Sequence, residues 1–203
     1  MVAPTLTLRP TASTGARWPQ QGQWTYDDYL RLPDEPGVRY EIIEGVLYVT
    51  NAPNFLHQYA VSQLSRVMGN FVMGRKLGVV LTAPFEVHLS RTARPVHPDV
   101  LFIAAARQPK ADAKIFEGAP DLVAEVLSAS TLRQDRKIKF DAYERAGAQD
   151  YWLLDPKTRS VEVYTLSNGE YALLGQWSAG ETANSTALAG FEVAVEELFA
   201  PTG

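Results

Sequence analysis

Cysteine is absent from all 203 residues of this chain, and its absence closes off two chemistries. No disulfide can staple the fold and no thiolate can hold a metal, which suits a reducing compartment such as the cytoplasm. Long apolar runs are missing as well. None approaches the roughly 18 residues that a bilayer-spanning helix requires, so no membrane span is expected. A basic balance is also lacking: the formal net charge is -4, which argues against a tight, sequence-indifferent grip on nucleic acid. The G-x-S-x-G and H-E-x-x-H signatures of common hydrolases do not occur.

What remains is an ordinary globular composition, 46% hydrophobic and 21% charged, sufficient for a sizeable core. Met1 to Gln23 is rich in Pro, Thr, Gly and Ala and lacks the basic start and apolar centre of a secretory signal. It reads as a flexible arm ahead of a single domain over residues 24–203. Thr25 can cap a short helix from Tyr26 to Arg31. Tyr40 to Thr50 alternates around a Glu44-Gly45 turn and predicts a hairpin. Asn54 to Arg75 carries Leu56, Ala60, Leu64, Met68 and Val72 at helical spacing, with Gly78 as its stop.

Strands are expected near Gly78 to Leu81, Phe85 to Leu89, Pro98 to Ile103 and Asp121 to Leu127. A helix capped by Ser130 or Thr131 then runs to Ala146, with Gly147 as the left-handed residue after it. Three more strands follow, at Asp150 to Leu154, Val161 to Leu166 and Tyr171 to Trp177. The mixture predicts an α/β fold. Tyr143, Tyr151 and Trp152 read as core, and the apolar stretch Phe191 to Phe199 could serve an interface.

One acid interrupts each of two apolar runs, Asp99 in Val96–Ile103 and Glu125 in Leu122–Leu127. Burying an unpaired charge is costly, so such acids are paired with a cation, hydrogen-bonded, or bound to metal. Two brought together demand a cation, and Mg²⁺ or Mn²⁺ suits an all-oxygen site. The following helix offers two lysines. Lys139 shares a stripe with Ala142, Tyr143 and Ala146, at i, i+3, i+4 and i+7, the stripe that docks on the sheet. Lys137 lies about 200° around the helix and faces water. Lys139 either acts on substrate charge or snorkels past the sheet edge, with Asp135 one turn earlier as a partner.

Glu41, on the first hairpin, could add a further acid to the site or pair with Arg39. His57 could contact phosphate or simply cap its helix, and capping is the simpler reading. His88 and His97 flank a loop without a third ligand at zinc spacing.

Pro98-Asp99 followed by Glu125-Val126-Leu127 resembles the core of the PD-(D/E)xK nuclease superfamily, with Leu127 where that pattern carries its lysine. The string Glu125-Val126-Leu127-Ser128-Ala129-Ser130-Thr131, then Asp135, Lys139, Tyr143, Gly147 and Tyr151-Trp152-Leu153-Leu154-Asp155-Pro156, looks more closely like the Uma-type family of restriction-endonuclease-like proteins. Tyr40-Glu41-Ile42-Ile43-Glu44-Gly45 and His57 fit the same family.

The resemblance implies a restriction-endonuclease-like domain: a central mixed sheet flanked by helices, often assembled as a homodimer. It implies a Mg²⁺- or Mn²⁺-dependent endonuclease acting on DNA. Asp99, Glu125 and the Val126 carbonyl would be the metal ligands, Lys139 the relocated lysine and Glu41 an assisting acid. The alternative is a catalytically inactive member of the fold that binds nucleic acid or protein.

Overall fold

The computed structural model describes residues 18–201, so most of the expected arm, residues 1–17, lies outside the described residues. Trp18 to Gln23 dock on the first hairpin. Trp18 stacks on Trp24 with centroids 5.6 Å apart, and Gln21 exchanges hydrogen bonds with the Leu47 backbone. Thr25 and Asp28 form a capping box that starts α1 (Tyr26–Tyr29), pairing two otherwise orphaned helix N–H groups. The hairpin joins β1 (Val38–Ile43) to β2 (Val46–Asn51). Its Glu44-Gly45 turn has positive φ at both residues, the geometry that matches strand twist in a two-residue loop.

Asn54 caps α2 (Phe55–Arg75) through the His57 N–H. The helix ends at Lys76, which is itself left-handed, rather than at the expected Gly78. Gly78 instead opens β3 (Gly78–Thr82), where an added Cβ would collide with the Ile103 carbonyl. Next come β4 (Glu86–His88), β5 (Val100–Ala104), β6 (Ile115–Glu117) and β7 (Leu122–Val126). Strand β4 pairs with β6, which the sequence pattern does not reveal, in a separate parallel ribbon.

The helix after β7 departs from the expected regular α-helix. Gln134–Lys139 is a π segment, and only then does α3 (Phe140–Ala146) begin, closed by left-handed Gly147 as expected. Strands β8 (Asp150–Asp155), β9 (Ser160–Ser167) and β10 (Glu170–Ser178) follow, then the short pair β11 (Thr182–Asn184) and β12 (Glu192–Ala194).

Six strands form one sheet in the order β10-β9-β8-β7-β5-β3. Only β7 and β8 run parallel within it, so the sheet is mixed, as the α/β reading expects. Because strand side chains alternate between faces, each strand feeds two cores. Val100, Phe102, Leu122, Ala124 and Trp152 pack under Leu64, Met68 and Val72 of α2. Leu101, Ile103, Val123 and Leu153 pack with Ala142 and Tyr143 of α3 on the other face. Tyr151 and Trp152 are core residues, as expected. The stretch Phe191–Phe199 is not an exposed interface: Phe191, Val193, Val195, Leu198 and Phe199 are buried in the α2 core. Among the described residues, no helix is long and apolar enough to cross a membrane.

Candidate active site

The antiparallel register of β5 and β7 pairs Val100 with Ala124. Carried one step further, it sets Asp99 opposite Glu125. By strand alternation both then lie on the α3 face, in line with Leu101, Ile103 and Val123. Asp99 stands just before β5 rather than inside it. Both acids are almost fully buried and line one cavity of about 320 Å³ with Glu41, Asp135 and Lys139. The β5 and β7 strand ends, β1, β2, the start of α2 and the π segment meet there. All four residues expected to carry chemistry, Asp99, Glu125, Lys139 and Glu41, are therefore neighbours.

Asp99 is held from three sides. Its Oδ2 accepts from the Val126 N–H at 2.9 Å and lies 3.1 Å from His57 Nε2; its Oδ1 is 3.5 Å from Arg39. Burial acts to raise its pKa, but the His57 hydrogen bond and charge, with Lys139 and the Val126 N–H, hold it below the usual value. Glu125 Oε1 accepts from Lys139 Nζ at 3.0 Å and from the Tyr143 hydroxyl at 3.1 Å. Burial pushes Glu125 well above its ordinary pKa, opposed by Lys139 and reinforced by Asp99, Asp135 and Glu41.

Glu41 is gripped at both oxygens. Oε1 accepts from the His97 N–H at 2.7 Å and sits 3.1 Å from Lys139 Nζ, while Oε2 accepts from Gln134 Nε2 at 2.9 Å. Its partners are thus Lys139 and Gln134, not Arg39. Asp135 lies 3.9 Å from Lys139. Its pKa rises to about 6, chiefly through burial, against the pull of Lys139 and the Thr131 hydroxyl. Burial acts to discharge Lys139, yet the surrounding carboxylates, Glu125 foremost, hold it firmly protonated. Lys137 is exposed, as helical phase predicts.

Arg39, His57, Gln134 and Asp135 also line the pocket. The simpler reading of His57 is incomplete. Its backbone N–H takes the Asn54 cap, while its imidazole reaches Asp99. Asp135 was visible as a helical neighbour of Lys139, but nothing in the periodicity marks Gln134. The π segment does: its i→i+5 ladder brings Gln134 and Lys139 onto one face, whereas five residues of α-helix would turn them about 140° apart. His88 lies away from this pocket, between Glu86 and Glu117.

Four carboxylates here face one buried ammonium and the half-exposed Arg39. Such a surplus of oxygen donors and negative charge fits a hard divalent cation. Among the described residues no three Asp, Glu or His side chains are grouped to hold a metal as they stand, and Lys139 lies within 3.1 Å of both Glu125 and Glu41. Val126, the expected carbonyl ligand, lines the cavity.

The family model described as "Uma2: Putative restriction endonuclease" matches residues 26–196. An uncharacterized protein of Synechocystis sp., sll1609, is 25% identical over 141 residues, covering 69% of this chain and 79% of that protein. The crystal structure of "a putative nuclease belonging to DUF820" from Anabaena variabilis superposes with a TM-score of 0.72 at 22% identity. It covers 86% of this chain and 97% of its own, and at that identity the likeness is one of fold.

Proposed function

This chain belongs to the Uma2 family, and from that premise we propose that it is a Mg²⁺- or Mn²⁺-dependent endonuclease hydrolysing phosphodiester bonds in DNA. The observation that carries the reading is the facing pair Asp99 and Glu125 on the floor of a cavity shared with Glu41, Asp135 and Lys139. Asp99 and Glu125 would hold the ion, with the Val126 carbonyl as third ligand. A divalent ion bound there would polarise a phosphate oxygen and lower the pKa of a water, supplying a nucleophile at neutral pH.

The chain's own groups do the rest. The Lys139 ammonium offsets charge developing on the phosphoryl group and orients the attacking water. Glu41, fixed by His97 and Gln134, assists as a further acid. Ser128, Ser130 and Thr131 line the cavity with a hydroxyl cluster that can donate to phosphate oxygens. Two protomers acting together would cut both strands. A reducing cytoplasm suits a chain without cysteine.

A catalytically inactive binding module is the competing reading, favoured by Leu127 in the strand-lysine position. Nicking of supercoiled plasmid separates the two. The nuclease cleaves with Mn²⁺ or Mg²⁺, stops with chelator, and loses cleavage in Asp99→Ala and Glu125→Ala, while Lys137→Ala cuts normally. Cleavage by both acid variants at the wild-type rate would remove the site assignment. Absence of cleavage at every metal concentration would leave the binding module.

A further inference from the structure

Lys139 is 5% exposed, and its ammonium is ringed by carboxylate oxygens, 3.0 Å from Glu125 Oε1, 3.1 Å from Glu41 Oε1 and 3.9 Å from Asp135 Oδ1. We propose that Lys139 is the resident cation of this pocket, and that a divalent ion binds only as its side chain swings off Glu125 and Glu41 toward Asp135. The inference rests on the pocket being a metal centre, as argued above.

Three features support it. First, Glu125, a would-be metal ligand, already gives Oε1 to both Lys139 and the Tyr143 hydroxyl. An ammonium and a divalent ion sharing that carboxylate would repel strongly at such range in a pocket screened from water. Second, the Lys139 ammonium lies 3.0 Å from Glu125 and 3.1 Å from Glu41, so an ion drawing on both acids would meet it there. Third, the displaced ammonium has a destination. Asp135 lies four residues earlier on the same helix, at a distance longer than a hydrogen bond, and a lysine's four-carbon stem with rotatable donors can close that gap. Metal entry and the transfer of Lys139 from Glu125 and Glu41 to Asp135 are then one event. Without metal, the lysine screens acids that would otherwise repel one another.

The test is calorimetric titration of Mn²⁺ into the full chain and into Lys139→Met, Lys139→Gln and Arg39→Gln, each checked for folding by circular dichroism. Both Lys139 variants are expected to bind Mn²⁺ at least tenfold more tightly than wild type, and Mn²⁺ should raise their melting temperatures more. Arg39→Gln removes a positive charge beside Asp99 without vacating the seat, and its gain should be much smaller. Should Lys139→Met fail to fold, Lys139→Gln decides alone, refolded with Mn²⁺ if necessary. Unchanged or weaker affinity in a folded Lys139 variant overturns the proposal while leaving the metal centre intact. So does an equal gain in Arg39→Gln, which would reduce the effect to general charge. If no protein, wild type included, binds Mn²⁺, the metal centre itself falls and this inference with it.

Discussion

Replacing Asp135 by asparagine should stabilise the chain above pH 6 and leave it unchanged below pH 4. Asp135 is buried at 2% exposure, and its pKa is raised from 3.8 to about 6. A raised carboxyl pKa means that the folded state binds the proton more tightly than the unfolded chain. Its contribution to stability is fully present below pH 3.8 and is lost as pH rises through about 6, the reverse of a salt-bridged acid. A shift of about two units corresponds to roughly 3 kcal/mol of penalty for the ionised form. Asparagine keeps the shape and cannot ionise, so the gain at pH 8 should reach about 2–3 kcal/mol. For a chain of this size that amounts to about 4–12 °C in melting temperature. Urea denaturation of both proteins at pH 4 and pH 8 measures the difference. A variant less stable at pH 8, or a gain equal at both pH values, would refute the assignment of a buried, strained carboxylate. Stability gained this way should come at the expense of activity, since the acid then no longer supports Lys139.

Gln134→Ala should lose about 2 kcal/mol in urea, the usual contribution of a hydrogen bond to a charged partner, because Glu41 Oε2 is left without its 2.9 Å donor. A neutral result would mean that water replaces the amide. Phe191→Ala should cost about 3–5 kcal/mol, since the ring is 1% exposed and packs between Phe71 and Trp152. That loss should be independent of protein concentration; a concentration-dependent loss would instead mark the stretch as an interface between copies.

The acids were legible because they break a pattern. An apolar strand can be read from composition alone, and Asp99 and Glu125 stand out against it. Their juxtaposition needs only antiparallel neighbours in the right register. Lys139 was separable from Lys137 because the phase could be counted from Ala142, Tyr143 and Ala146, all outside the π segment. Gln134 was hidden because its approach to Glu41 depends on an irregularity that no residue spacing announces. The sequence offers Arg39 only as a partner for Glu41 and His57 as a cap or phosphate contact; their contact with Asp99 comes from elements packing together 60 and 42 positions apart in sequence. Strand β6 escaped because three residues in a polar stretch leave no alternation to detect, and it is held by pairing with β4. The C-terminal stretch was apolar for the reason expected of an interface, but its partner is the chain's own α2.

The π segment gives the helix after β7 two independent angular settings. A regular helix has one phase: turning it to dock Ala142 and Tyr143 on the sheet would fix where every earlier residue points. One surplus residue of winding between Gln134 and Lys139 decouples the two ends. The C-terminal half can follow the demands of packing while the N-terminal half turns its polar side chains into the cavity. The aim of the pocket can therefore be adjusted through the winding of six residues, without disturbing the core beneath it.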